Sequence, residues 1–252
     1  MRRVDLNCDM GESFGAWTIG QDEEMLRLVT SSNIACGFHA GDPAGIERTV
    51  RAALQQEVAV GAHPSYPDLQ GFGRRSMQVA TEELESLLLY QLAALAGIAR
   101  ANGGTMRHVK LHGALYNDAA LNADLAGPAI RALQRLDSTL LLYALAGSAL
   151  SRLARQAGLR VVEEAFADRR YTPEGRLQSR HVAGSLITDP EEAARQVEGI
   201  LLQGRAPAYP SGETRLEAET ICVHGDNPAA LTIARLLRTR LATVGVEVRS
   251  PE

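Results

Sequence analysis

The stretch VDLNCDM, residues 4–10, alternates apolar and polar side chains, and this alternation decides between two kinds of α/β fold. Side chains point to opposite faces along a β-strand, so one face here is apolar and the other carries Asp5, Asn7 and Asp9. An open doubly wound sheet needs two apolar faces because helices cover both, whereas a closed barrel turns one face inward, where polar side chains can line a site. The segment therefore favours a (β/α) barrel with a polar interior.

The same division recurs in other apolar runs. In HVKLH, residues 108–112, the side chains of His108, Lys110 and His112 lie opposite Val109 and Leu111. Alternation in three other predicted strands also assigns side chains to the inward face, and some residues just beyond a strand continue the alternation of that face. These residues are Asn33 and His39; Ala59, Gly61 and His63; and Cys222, His224 and Asp226.

Short apolar runs alternate with amphipathic stretches along the whole chain, which predicts repeated βα units. The predicted strands cover residues 4–10, 33–37, 58–62, 108–112, 139–144, 161–165 and 220–224. The predicted helices cover residues 22–30, 43–56, 81–102, 118–136, 148–157, 190–203 and 228–243. No linker rich in Pro, Gly or Ser divides the chain, so we expect one domain over residues 1–252.

Composition narrows the function classes. A net charge of -4 and the lack of a dense basic stripe argue against a nucleic-acid partner. The longest uncharged runs are shorter than the roughly 20 apolar residues that span a bilayer, and no signal peptide is recognised, so we expect a soluble protein. The three cysteines are widely separated and form no CxxC pair, which favours reduced thiols in the cytoplasm.

Polar residues cluster where the predicted strands end. In (β/α) barrels this rim is where active sites are built. Four of the six histidines fall on it. The rim residues are Asp9, Glu12, His39, His63, His112, Asp168, His224 and Asp226.

Lys110 is the only lysine among the 26 basic residues of the chain. A buried lysine can neutralise a substrate carboxylate or a developing oxyanion as a compact point charge, which the fork of an arginine would not reproduce. The alternative is that the side chain reaches solvent from the end of its strand.

The acidic and imidazole groups leave two chemistries open. Asp9 and Glu12 can share general acid and base work or hold a cation, and the alternative is a turn cap beside a solvated carboxylate. Asp9, His39, His63, His112 and His224 are ligand types that divalent ions use, but local spacings such as H-E-x-x-H are absent. A divalent metal therefore stays open and is not assigned.

Six motifs, in order, resemble the LamB/YcsF family, the A subunit of the prokaryotic ATP-dependent 5-oxoprolinase. They are NCDMGESFG (7–15), SNIACGFHAGDP (32–43), GAHPSYPDLQGFGRR (61–75), VKLHGALYN (109–117), EAFADRRYTPEGRLQSR (164–180) and CVHGDNP (222–228). The resemblance implies an irregular seven-stranded (β/α) barrel of the glycoside hydrolase/deacetylase type. It also implies a hydrolase that opens the lactam of 5-oxo-L-proline to L-glutamate with ATP, as part of a complex with partner subunits B and C.

We assign site residues to this reaction as hypotheses. Lys110 takes the substrate carboxylate or the oxyanion, Asp9 or Glu12 is the base, and His112, His39 or His63 transfers protons. ATP is the expected cofactor, and because the chain has no GxxxxGK[ST] motif, its site depends on the glycine-rich rim or on the partner subunits. The assigned substrate-binding residues are Asn7, Arg180, His224, Asp226 and Asn227.

Two other functions remain open from the residues alone. The chain can be a stand-alone metal-dependent deacetylase or amidase, or it can bind or support partners without catalysis. The possibility of a homo-oligomer is also left open.

Overall fold

Seven parallel strands close into a barrel in the computed structural model, which describes residues 2–252. The strands are β1 (Arg2–Met10), β2 (Ser31–Ala35), β3 (Ala59–His63), β4 (Met106–Lys110), β5 (Leu141–Leu145), β6 (Arg160–Phe166), β7 (Arg205–Pro207), β8 (Glu213–Arg215), β9 (Thr220–Cys222) and β10 (Val246–Val248). Strands β1 to β6 pair in chain order, and β9 pairs with both β6 and β1. The closed ring contains all seven predicted strands and confirms the predicted barrel.

Helices surround the ring and connect successive strands. They are α1 (Asp22–Met25), α2 (Pro43–Gln55), α3 (Thr81–Ala101), α4 (Gly113–Leu121), α5 (Ala123–Asp137), α6 (Ala149–Gln156), α7 (Pro190–Glu198) and α8 (Ala230–Thr243). Asp42 caps α2 by accepting from the Gly45 amide, and Asp189 caps α7 by accepting from the Glu191 amide, each just before an N1 proline.

Several boundaries differ from the predicted ones. The predicted helix over residues 118–136 is two helices, because Asn122 adopts an extended conformation and its side chain accepts from the Asp124 amide to start α5. The helix expected over residues 22–30 ends at Met25, since the chain must turn to enter β2 at Ser31. A π-helical turn, Gly199–Gln203, replaces the end of the helix predicted to reach 203. The short strands β7, β8 and β10 were not predicted.

The inward faces of the strands carry a hydrogen-bonded polar network. The amide of Asn7 donates to Glu164 Oε1 at 2.9 Å and to Thr220 Oγ1 at 2.8 Å. Asn33 Nδ2 donates to Asn7 Oδ1 at 2.7 Å, and Asn33 Oδ1 in turn lies 2.8 Å from His108 Nε2. Because buried polar groups are costly without partners, this network is what makes a polar barrel interior stable.

The outward faces and the helices form the main apolar core. Helix α3 is long and apolar enough, by length and composition, to cross a membrane, and 33% of its most apolar window is buried. Its buried leucines, Leu84, Leu88, Leu92 and Leu95, recur at helical spacing. One face of α3 is therefore a core face of the outer helical layer.

Gly61 is the position where the interior depends on the absence of a side chain. A Cβ added there would overlap the His108 imidazole, which crosses the face of β3 to reach Asn33. Gly97, in helix α3, offers a contrast, since a Cβ there would meet nothing within 4 Å.

We expect Gly61→Ala to lower the free energy of unfolding by about 1–3 kcal/mol, because the methyl group displaces a packed, hydrogen-bonded ring. The matched control Gly97→Ala should be neutral or stabilising by up to about 1 kcal/mol, since alanine favours a helix. Urea denaturation of both variants measures the difference. Equal effects at the two positions would contradict this account of the interior.

Candidate active site at the carboxyl end of the barrel

A cavity of about 650 Å³ opens at the carboxyl ends of the strands. Its lining contains eight of the predicted site residues: Asp9, Glu12, His63, Lys110, His112, Arg180, His224 and Asp226. The other three lie just behind it. Asn7 is deeper in the barrel, His39 stacks on His112, and Asn227 holds Asp168. The side chains that alternation turned inward therefore converge at one end of the barrel.

Lys110 is buried, with 2% of its side chain exposed, so it does not reach solvent. Its Nζ lies 2.9 Å from Asp9 Oδ1 and 3.0 Å from Glu164 Oε1. It also donates to Asn7 Oδ1 at 3.3 Å and to Cys222 Sγ at 3.1 Å. The one lysine of the chain thus joins strands β1, β4, β6 and β9 across the barrel.

The charges in this cluster fix one another. Burial lowers the pKa of Lys110, but the carboxylates of Asp9 and Glu164 outweigh burial and raise that pKa well above its ordinary value. Burial raises the pKa of Asp9, but His63 and Lys110 outweigh it and hold that pKa well below the usual range. Lys110 is therefore an ammonium and Asp9 a carboxylate at neutral pH.

His63 and His112 face each other with ring nitrogens 2.9 Å apart, His63 Nε2 to His112 Nδ1. The opposite nitrogen of each ring lies 2.8 Å from a backbone carbonyl, that of Lys110 for His63 and that of Phe72 for His112. A carbonyl only accepts, so each of those nitrogens carries the hydrogen of a neutral ring. The two facing nitrogens then both carry lone pairs that point at the same place, an arrangement that suits a shared hydrogen or a metal ion.

Carboxylates flank this imidazole pair. Asp9 Oδ2 lies 3.3 Å from His63 Nε2, and Glu12 Oε1 lies 3.5 Å from His112 Nδ1. Burial and then the charge of Asp9 raise the pKa of Glu12 well above its ordinary value. The pKa values of Asp9 and Glu12 are therefore shifted in opposite directions, the pattern found in sites where one carboxyl group acts as acid and another as base.

His39 supports the cluster from behind. Its ring stacks on His112 with centroids 3.8 Å apart, and its Nε2 lies 3.6 Å from Glu12 Oε1. Within residues 2–252, neither of its ring nitrogens has a hydrogen-bond partner. Burial lowers the pKa of His39 well below its ordinary value, so the ring stays neutral and its lone pair is available to a ligand.

Three groups of side chains within residues 2–252 bring ligand atoms within 4.8 Å of one another: Asp9, His63 and His112; Glu12, His39 and His112; and Asp9, Cys222 and His224. The first group fits a divalent ion best. The tautomers of His63 and His112 direct two lone pairs to one place, and a carboxylate oxygen of Asp9 lies close to it. The third fits least, since burial raises the pKa of the Cys222 thiol well above its ordinary value and opposes a thiolate ligand.

Another part of the cavity lining comes from the segment after β6 and the segment after β9. Asp168 Oδ1 lies 2.8 Å from His224 Nδ1, and Asp168 Oδ2 accepts from the Asn227 amide at 3.0 Å. Asp226 pairs with both Arg74 and Arg180 at the mouth. Arginines and carboxylates therefore lie together at the mouth of the cavity.

Sequence reasoning missed several residues that belong to this site: Arg74, Glu164, Phe166 and Arg169. Alternation within β6 places Glu164 and Phe166 on the inward face, so that signal was available. Arg74 and Arg169 lie in connecting segments, where no periodicity indicates direction.

Comparisons with known proteins agree with one another over the whole chain. The sequence profile of the LamB/YcsF family matches residues 4–252. A protein of Heliobacterium modesticaldum, named as the A subunit of 5-oxoprolinase, is 49% identical over 248 residues, which cover 98% of each chain. The crystal structure of a lactam utilization protein from Thermus thermophilus superposes with a TM-score of 0.92 at 46% identity, covering 99% of this chain and 100% of that one.

A more distant structure shares the fold alone. The catalytic domain of a peptidoglycan N-acetylglucosamine deacetylase from Eubacterium rectale superposes with a TM-score of 0.53 at 8% identity, covering 100% of this chain and 89% of that one. The predicted relation of the barrel to deacetylase folds is thereby confirmed.

We expect Lys110→Met to lower the free energy of unfolding by about 3–5 kcal/mol at neutral pH, because it leaves two buried carboxylates facing each other without a cation. The wild-type contribution of Asp9, whose pKa is depressed, is present at neutral pH and is lost as pH falls through that pKa. In the variant, the uncompensated carboxylates take up a proton more readily, so it gains stability as pH falls. The deficit should therefore shrink towards about pH 5.

Denaturant unfolding at several pH values measures this deficit. Arg135→Met is the control, because Arg135 forms an exposed pair with Glu85, and its cost should stay under about 1 kcal/mol at each pH. A deficit for Lys110→Met that does not change with pH would contradict the charge network.

We expect the full chain, stripped with a chelator and dialysed against zinc, to bind about one ion, because Asp9, His63 and His112 present converging lone pairs. His63→Ala and His112→Ala should each weaken binding at least about 100-fold, whereas His181→Ala, at an exposed rim residue outside the three groups, should not. Calorimetry and elemental analysis measure the binding. Unchanged affinity in the first two variants would contradict a metal site there.

Proposed function

The chain belongs to the LamB/YcsF family, and we propose that it is the A subunit of an ATP-dependent 5-oxoprolinase, which opens the lactam of 5-oxo-L-proline to L-glutamate. The observation that carries the proposal is the cavity, whose lining contains carboxylates, imidazoles and Lys110 together with several arginines. A lactam that bears a carboxylate needs groups of both kinds, acids and bases for its amide and a cation for its carboxylate.

The chemistry of lactam opening matches the groups present. A five-membered lactam is stable towards water, so opening it needs activation of the amide, a base for water, and an acid for the departing nitrogen. We propose Asp9 as the base, because Lys110 and His63 keep it ionised. Glu12, whose pKa burial and Asp9 raise, is suited to hold a proton for transfer.

Proton transfer and charge stabilisation complete the assignment. The facing nitrogens of His63 and His112 are 2.9 Å apart and His39 stacks on His112, so we propose that this cluster moves a proton to or from Glu12. Lys110 lines the cavity and stabilises an oxyanion that forms close to Asp9. Its contacts to Asp9 and Glu164 already use most of its donors, so a substrate carboxylate is better received elsewhere.

We propose that His224 binds substrate. Asp168 accepts from its Nδ1 and so fixes the tautomer, which leaves Nε2 as the remaining polar atom of a ring that lines the cavity. Asn227 donates to the same Asp168 carboxylate and acts by positioning it. Asp226 orients Arg74 and Arg180 at the mouth, and Asn7 orients Lys110 from below.

ATP enters this proposal through the complex. Because the chain has no GxxxxGK[ST] motif, we propose that nucleotide binding depends on partner subunits B and C. We also propose that the complex is cytoplasmic, since Cys8, Cys36 and Cys222 are buried free thiols, as a reducing compartment allows. The prediction of one domain over residues 1–252 is part of the same proposal.

One observation favours a second candidate, a metal-dependent amidase or deacetylase that acts without partners. The converging lone pairs of Asp9, His63 and His112 would hold a divalent ion. Such an ion polarises an amide carbonyl as a Lewis acid. Those three residues would then be the ligands of the ion, and Glu12 and His39 would transfer protons close to it.

The experiment supplies 5-oxo-L-proline with and without ATP, subunits B and C, and a chelator, and measures glutamate. We expect glutamate only when ATP and all three subunits are present, and we expect Asp9→Asn to lower turnover at least about 100-fold because the base is lost. Lys110→Met should also lower turnover, and Arg135→Gln, a surface variant, should not.

Two outcomes would reject the first candidate. Hydrolysis of an amide by the purified chain alone, abolished by the chelator, would favour the second candidate. Full turnover of the assembled complex with both Asp9→Asn and Lys110→Met would instead indicate a non-catalytic binding subunit.

A further inference from the structure

Arg169 is a buried guanidinium that pairs with no carboxylate within residues 2–252. The residue is 5% exposed and lines the cavity. Its Nη2 donates to the backbone carbonyl of Gln178 at 2.6 Å, and its buried Nε has no partner. The neighbouring arginines differ, because Arg74 and Arg180 both pair with Asp226.

Such an unpaired charge is costly to bury. Burial and the charge of Arg180 lower the pKa of Arg169 to about 10, and the nearby charge of Asp168 offsets only part of this effect. An arginine at that pKa is still a cation at neutral pH, so the free protein holds a buried positive charge that no carboxylate contacts. A bound anion would supply that contact.

The backbone around Arg169 is held firmly. Gln196, buried on helix α7, places its Nε2 2.9 Å from the carbonyl oxygen of Phe166 and 2.9 Å from that of Arg169. The Asp168 carbonyl accepts from the Ile187 amide at 2.9 Å. Arg169 is thus a positioned group of the cavity wall and not a side chain of a loose loop.

We propose that Arg169 is the receptor for the carboxylate of the substrate, so that the lactam amide lies towards Asp9 and the imidazole pair. This inference rests on the proposed function and names the subsite that binds the acid end of 5-oxo-L-proline. The planar guanidinium of Arg169 lines the cavity and presents N–H donors in a fixed plane that matches a carboxylate. It also takes the carboxylate role away from Lys110, whose Nζ already has Asp9 and Glu164 as partners.

A phosphoryl group shares this oxyanion chemistry, because a guanidinium receives a phosphate as well as a carboxylate. Measuring the binding of a carboxylate ligand and of phosphate separately shows which anion Arg169 receives.

The kinetic test uses the assembled complex with Arg169→Gln and Arg169→Lys, and compares 5-oxo-L-proline with 2-pyrrolidinone, the same lactam without the carboxylate. Removing a charged hydrogen-bond partner costs about 10- to 100-fold. We expect Arg169→Gln to lower kcat/KM for 5-oxo-L-proline by that factor, chiefly through KM, and to change kcat/KM for 2-pyrrolidinone less than about 3-fold. Arg169→Lys should fall between, because it keeps the charge and loses the fork.

The binding test does not depend on turnover. Calorimetry with 5-oxo-L-proline, 2-pyrrolidinone and inorganic phosphate is carried out on the full chain and on the complex, with thermal melting to verify folding. We expect Arg169→Gln to weaken 5-oxo-L-proline at least about 10-fold, and the exposed control Arg135→Gln to leave it unchanged. If Arg169→Gln does not fold, Arg169→Lys decides the matter, and wild-type affinity for 5-oxo-L-proline in that folded variant overturns the proposal.

The outcomes separate this inference from the proposed function. A complex that opens 5-oxo-L-proline with an unchanged KM in Arg169→Gln overturns the inference and leaves the function standing. A chain that binds 5-oxo-L-proline through Arg169 in a complex that never opens it supports the inference and rejects the function. Phosphate binding that depends on Arg169, without any such dependence for 5-oxo-L-proline, overturns the carboxylate assignment, as does the absence of Arg169-dependent binding in both the chain and the complex.

Discussion

The ammonium of Lys110, held between Asp9 and Glu164, is the interaction on which the interior of this barrel depends. A buried cation is stable only where carboxylates and hydrogen-bond acceptors surround it, and here they come from β1, β6 and β9. Those strands can meet the lysine at the end of β4 only if the sheet closes. The need to surround the ammonium of Lys110 with carboxylates therefore favours a closed barrel, as do the apolar outer faces of the strands.

The network that satisfies Lys110 extends through the barrel by shared partners. Asn7 accepts from Lys110 and from Asn33, and its own amide donates to Glu164, so each group orients the next. His108 extends the network through its contact with Asn33, and the absence of a side chain at Gly61 leaves room for the His108 ring. Since hydrogen bonds in a region of low dielectric reinforce one another, the network also fixes the direction in which Asp9 and the histidines face the cavity.

Sequence reasoning found the face of each strand because alternation is a local property that a few residues express fully. It placed Asp9, His63, Lys110 and His112 at one end of the barrel for that reason. It could not place Arg169, because the direction of that side chain is set by the segment that follows β6, which Gln196 on a distant helix holds in place. The break at Asn122 was missed for a related reason: the apolar pattern continues through it, and one extended residue separates two helices.

The cavity brings together two kinds of polar group. Asp9, Glu12, His63 and His112 can donate or accept protons, and Asp9 and His63 lie on strands whose positions the ladder of the barrel fixes. The guanidinium groups come from segments after the strands, which can vary without disturbing that ladder. Under the proposed function, the acid–base centre is thus tied to the barrel, and Arg169, set by a connecting segment, is the group that would select the acid that is received.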